Sequence, residues 1–119
     1  MSAVETWTPG CRLAELEVER GAAALVHGQA VAIFRTHDET VYVLGNHDPF
    51  SRASVLARGI VGTRDVDGVE VPFVASPMHK HGFDLRSGRC LDEEGVSVAS
   101  FEVRVVEGVV LVGPRRVSA

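Results

Sequence analysis

Apolar residues along this chain come in short, β-branched runs broken by turn residues, and this rhythm, not a helical period, sets the expected architecture. Ala22-Ala23-Ala24-Leu25-Val26 and Ala30-Val31-Ala32-Ile33-Phe34-Arg35 flank His27-Gly28-Gln29, where a glycine can take the positive φ of a tight hairpin. Thr36-His37-Asp38-Glu39 turns the chain again, and Thr40-Val41-Tyr42-Val43-Leu44 follows as the third strand of a meander. Near the other end, residues 101–106 and 109–112 flank Glu107-Gly108. Alternation there places Phe101, Val103 and Val105 on a core face, with Glu102 and Arg104 in water. Asp65-Val66-Asp67-Gly68 marks a further hairpin. Only Arg12-Leu13-Ala14-Glu15-Leu16-Glu17 offers helical material, too little to stand unaided, so a single turn packed on a sheet is expected. The pattern predicts an all-β fold, a small antiparallel sandwich or barrel, with polar loops at 45–54 and 75–82 as the places for chemistry.

Composition narrows the class. With 119 residues, 45% of them apolar and 24% charged, the chain can bury one real core without metal or disulfide staples, and a single domain over residues 1–119 is expected. Sixteen acids against twelve Lys and Arg leave a formal charge of −4, which offers no basic field for a phosphate backbone, so nucleic acid is not an expected partner. The opening residues hold no apolar signal core, and no apolar run approaches the ~18 residues of a membrane span; the expected location is the cytoplasm. Cys11 and Cys90 stand in no ligand-like spacing, and two buried thiols are expected in preference to a disulfide. Gly59, Gly62 and Gly68 fit no phosphate-loop pattern and read as turn and bulge glycines.

The two loops read Val43-Leu44-Gly45-Asn46-His47-Asp48-Pro49-Phe50 and Val74-Ala75-Ser76-Pro77-Met78-His79-Lys80-His81-Gly82, followed by Phe83-Asp84-Leu85-Arg86-Ser87-Gly88. Together they resemble a Rieske domain, in which one loop presents C-x-H, the other C-P-x-H, and an F-D-x-x-T/S-G segment leads back into the sheet. The likeness extends from Trp7 through the 31–35 strand and so spans nearly the whole chain. It places Asn46 and Ser76 at the two cysteine positions and Asp48 and His79 at the two histidine positions. A [2Fe-2S] centre of this type needs two thiolates on one iron and two imidazoles on the other, which an amide, a hydroxyl and a carboxylate do not replace. The resemblance therefore implies the Rieske-like fold without its cluster.

Asn46-His47-Asp48-Pro49-Phe50-Ser51-Arg52-Ala53-Ser54-Val55-Leu56-Ala57-Arg58-Gly59-Ile60, with Val74-Ala75-Ser76-Pro77 and His81-Gly82-Phe83-Asp84-Leu85, is similar to the small subunit of assimilatory NAD(P)H-dependent nitrite reductase. That resemblance implies a subunit with no catalytic residue of its own, alongside a large subunit that holds FAD, siroheme and a [4Fe-4S] cluster and reduces nitrite to ammonium. Two other readings stay open: a Rieske-type electron-transfer ferredoxin, and a mononuclear metal protein using His47, Asp48, His79 and His81, although Lys80 would repel a cation there. Asn46 and Asp48 also fit a plainer role, closing their loop through side-chain to backbone hydrogen bonds ahead of Pro49. Phe50, Val55, Leu56 and Ile60 are too apolar for simple turn residues. They either tuck under the loop or, with Arg52, Arg58 and Arg64 around them, form a partner-docking patch in which Phe50, Arg52, Val55, Leu56 and Arg58 are the candidate contacts.

Overall fold

The computed structural model describes residues 7–78 and 80–116. Eleven strands appear among them: β1 (Thr8–Arg12), β2 (Arg20–Val26), β3 (Gln29–Arg35), β4 (Val41–Gly45), β5 (His47–Asp48), β6 (Ala53–Ser54), β7 (Ile60–Val66), β8 (Val69–Ala75), β9 (Gly82–Asp84), β10 (Ser100–Val106) and β11 (Val109–Arg115). The helical content is two single 3₁₀ turns, Leu13–Glu15 and Leu56–Arg58, the first of them where the short helical stretch was expected. Glu15 closes that turn by accepting the Arg12 backbone N–H at 2.9 Å.

Six strands form one antiparallel sheet in the order β1-β11-β10-β4-β3-β2. Its outer strands are drawn together where the Thr8 hydroxyl meets the His27 imidazole of the β2–β3 turn at 3.1 Å, so the sheet curls toward a barrel. A second sheet, β7-β8-β9, and the two-stranded ribbon β5-β6 complete the fold. The hairpins lie where the turn dipeptides put them: His27, Asp67 and Glu107 each take a positive φ ahead of a glycine that does the same.

Strands β3 and β4 explain why their sequences read as continuous apolar runs. Ala32, Phe34 and Leu44 point into a cluster shared with Leu56, Val61, Val74, Phe83, Leu85 and Cys90. Their neighbours Val31, Ile33 and Val43 point the other way, into a cluster with Leu16, Val26, Phe101, Val110 and Val112. These two strands are thus a wall between two cores, apolar on both faces. Burying each of their large side chains contributes about 1.5–3 kcal/mol.

Two expectations are corrected. Val105 does not face the core but is 42% exposed. Strand β4 pairs with β10 only at Ser100 and Phe101; Val103 still packs against the core, but by Val105 the alternation has outrun the core it was meant to fill. Cys11 is half-buried, whereas Cys90 is buried as expected, and both thiols are free. Burial, with Glu15 adding to it, pushes the Cys11 thiol up from its ordinary value.

Candidate functional site

The first loop leaves β4 and returns to β7, and Asn46 is its spine. Its side-chain carbonyl accepts the Ala57 N–H at 2.7 Å while its amide donates to the Ser54 carbonyl at 3.3 Å. Its backbone carbonyl accepts Leu56 N–H at 3.2 Å, and its N–H donates to the Ala30 carbonyl at 3.1 Å. The loop can close this tightly because position 59 is glycine: a Cβ there would lie 2.4 Å from the Ala75 carbonyl oxygen and 2.6 Å from a Val74 methyl. That approach brings the loop against the end of β8, from which the second loop departs.

Asp48 is fully buried, and its carboxylate gathers the tip. One oxygen accepts Phe50 N–H at 2.9 Å, an Asx turn ahead of the next residues. The other accepts the Ser51 hydroxyl at 2.9 Å and, from the second loop, the Ser76 hydroxyl in a short hydrogen bond. Burial alone would raise this carboxyl, but the Ser76 hydroxyl, the Phe50 N–H and the Ser51 hydroxyl and N–H outweigh it and hold it below the usual carboxylate range. A buried carboxylate with charge-assisted donors on both oxygens is a strong local fastening.

The second loop is tied at both ends. Ser76 donates its N–H to the His81 carbonyl at 3.0 Å and accepts Lys80 N–H at 2.9 Å. At its far end Asp92 accepts Gly82 N–H at 2.7 Å and the Arg64 guanidinium at 2.9 Å. The Gly82 N–H, against the opposing effect of burial and with Arg64 helping, holds the Asp92 carboxyl below its ordinary value. Between the loops, the Phe50 and His81 rings stack with centroids 3.7 Å apart and planes 9° from parallel, and Phe83 tilts against Phe50 at 6.2 Å.

This donor set does not fit a [2Fe-2S] cluster. Asn46 spends its amide on its own loop, and the Asp48 carboxylate and Ser76 hydroxyl are bonded to each other between the two loops. Cys90 is locked in the core, and Cys11 sits on β1 opposite Val110, so neither thiol belongs to the loops. Three of the four residues of the mononuclear alternative are described. His47 is exposed, Asp48 is buried and His81 is stacked on Phe50, while His79 lies outside the described residues. Among the described residues, no three His, Cys, Asp or Glu side chains converge as a metal ion would need. Of the candidate docking residues, Leu56 is corrected: it is fully buried in the core and cannot be touched from outside. Phe50 and Val55 are half-buried, whereas Arg52 and Arg58 are exposed.

Sequence reasoning placed Asn46, Asp48 and Ser76 in the loops but not the bond between the last two, which joins residues 28 apart with no local pattern to announce it. The Asp92 brace on Gly82 and Arg64 was also missed, for the same reason. The Asx-turn reading of Asn46 and Asp48 did carry a usable signal, since both residue types bond nearby backbone in turns.

Comparison with known proteins follows the same lines. The Rieske-like [2Fe-2S] domain family model matches residues 6–113. The small subunit of nitrite reductase (NADH) from Escherichia coli (strain K12) is 38% identical over 105 residues, covering 87% of this chain and 94% of that one. The crystal structure of a chain assigned as an NADH-dependent nitrite reductase small subunit from Mycobacterium tuberculosis superposes with a TM-score of 0.85 at 41% identity, covering 98% of this chain and 100% of the other. A segment of the nitrite reductase [NAD(P)H] large subunit of Klebsiella oxytoca is 35% identical over 113 residues, covering 95% of this chain but 11% of that protein. The chain therefore belongs to the Rieske-like [2Fe-2S] domain family and, within it, to the small subunits of nitrite reductase.

Proposed function

We infer that this chain acts, as a single domain, as the non-catalytic small subunit of an NAD(P)H-dependent nitrite reductase complex that reduces nitrite to ammonium in nitrogen assimilation. The large subunit supplies FAD, siroheme and a [4Fe-4S] cluster, and the complex works in the cytoplasm. The observation that carries this reading is the Klebsiella oxytoca large subunit, which contains a segment like nearly all of this chain. A domain that is separate in one organism and part of the larger polypeptide in another is a natural partner for that polypeptide. The tip supports the same reading. Asp48, Ser51 and Ser76 are used in fastening two loops, and among the described residues the tip holds no oriented nucleophile and base, and no thiolate pair, for chemistry of its own. The same donor set argues against an autonomous Rieske electron carrier. Among the described residues, no helix is long and apolar enough to cross a membrane.

Co-expression with the large subunit of the same organism tests the assignment. The two chains are expected to copurify with flavin and siroheme, and nitrite-dependent NADH or NADPH oxidation is expected to fall or become unstable when this chain is omitted. A large subunit that is fully active and stable alone, and that never retains this chain, would overturn the reading.

A further inference from the structure

Resting on that reading of the chain as a large-subunit partner, we propose that the two-loop tip docks on an acidic surface of the large subunit through a pair of cations, Arg52 from the first loop and Lys80 from the second. The two sit within two residues of Phe50 and one residue of His81, the rings that stack across the loops. Sign of charge is the first argument. The chain as a whole is acidic, at −4, yet the only full charges in residues 46–58 and 75–81 are Arg52, Arg58, Lys80 and Asp48. Asp48 is buried and already occupied by two hydroxyls and an N–H, so the full charges these two stretches present to the outside are cations, while the Asp92 carboxylate at the base of the second loop is engaged by Gly82 N–H and Arg64.

Those cations stand in no ion pair among the described residues. Ion pairs among the described residues join Arg35 to Glu39, His37 to Glu19, Arg64 to Asp92 and Arg86 to Asp84, and none involves Arg52, Arg58 or Lys80. Apolar surface lies beside them. Met78, two residues before Lys80, is 57% exposed, and Ile60, paired with Ala75 at the strand end where the second loop begins, is 72% exposed. A cationic, partly apolar end on an acidic molecule meets an acidic patch favourably and is repelled by a basic one, which gives register as well as attraction. The geometry is set in advance. Arg52 and Lys80 hold left-handed backbone, at φ 59° and 62°, and the loops that carry them are fastened to one another through Asp48 and Ser76. The backbone thus has little freedom to lose on binding, and the cost that remains is the ordering of the exposed Arg52 and Lys80 side chains.

The test uses the full chain and the purified large subunit, with the dissociation constant measured at low and at high NaCl. The double change Arg52→Gly with Lys80→Gly removes both charges and relieves two left-handed residues, which offsets the extra unfolded-chain entropy of glycine, so the variant is expected to fold, as a thermal melt beside its parent checks. A single Arg12→Gln change, at the β1 end paired with Val109, is the control. Wild-type binding is expected to weaken with salt. The double variant is expected to bind about tenfold or more weakly at low salt, with a flattened salt dependence, while Arg12→Gln behaves as wild type. An unchanged affinity and salt slope in the double variant, beside tight wild-type binding, would overturn the proposed face and leave the subunit reading standing. No wild-type binding at all would sink both. Self-association of the chain alone, abolished by the double change, would assign the face to a second copy and overturn the proposal.

Discussion

At the scale of single residues, Asp48 governs the tip. Replacing it by Ala leaves the Ser76 and Ser51 hydroxyls and the Phe50 N–H without their acceptor. Each stranded donor costs about 1–3 kcal/mol, so Asp48→Ala is expected to lose about 3 kcal/mol or more in urea unfolding, whereas Ser76→Ala, which takes one of three donors from the carboxylate and leaves the exposed Met78 N–H to water, is expected to lose less, about 1.5–3 kcal/mol. The carboxyl also gives an acid response. Its folded pKa is lowered, so its contribution is complete above the unfolded value of about 4 and disappears as pH falls through the lower folded value. Asp38, lowered chiefly by the Thr36 and Thr40 hydroxyls, and Asp92 act in the same direction. Stability measured from pH 6 down to pH 2 should therefore drop most steeply below about pH 4, and the Asp48→Asn variant should show a shallower drop.

At the scale of elements, the turn between β9 and the run toward β10 is the most demanding piece of backbone. Gly88 has φ +83°, and a Cβ there would stand 2.2 Å from the Val98 carbonyl oxygen. Gly108, at the tip of the β10–β11 hairpin, has φ +80° but open space around it. Gly88→Ala is thus expected to cost well over the ~1 kcal/mol expected of Gly108→Ala, and thermal melts of the two variants should separate them clearly. The contrast marks what could be read in the sequence. Hairpins around residues 27–28, 67–68 and 107–108 were legible because their signal is local: two turn residues between β-branched runs. Strand β9 and the β5-β6 ribbon were not, since three- and two-residue strands carry no period. Phe50, Val55, Leu56 and Ile60 could not be sorted either. Only the fold shows that Leu56 plugs the core while Ile60 stays exposed, because which side of an irregular loop faces inward depends on strands far away in sequence.

At the scale of the whole molecule, two cores back onto the wall formed by β3 and β4, and the first loop is anchored to that wall through Asn46 and Leu56. The scaffold resembles an iron-sulfur protein in outline while its tip is built from oxygen and nitrogen donors. Purified protein is accordingly expected to contain iron and acid-labile sulfide well below one equivalent per chain, even after reconstitution with ferrous iron and sulfide. Stoichiometric uptake with a reduced rhombic electron paramagnetic signal would contradict the donor assignment. The cluster positions were legible only through the resemblance to a Rieske domain, carried by Ser76-Pro77 and Phe83-Asp84-Leu85-Arg86-Ser87-Gly88, because three of the four ligand residues are themselves absent. What had filled them was not, because the replacement is a contact made in space.

The bond between Ser76 and Asp48 has a consequence for biosynthesis. A tip fastened by its own side chains is expected to form as the polypeptide folds, without waiting on an inorganic insertion step. Iron starvation, which would leave a metal-bearing cousin unfinished, is therefore expected to leave the fastening of this end of the molecule unchanged.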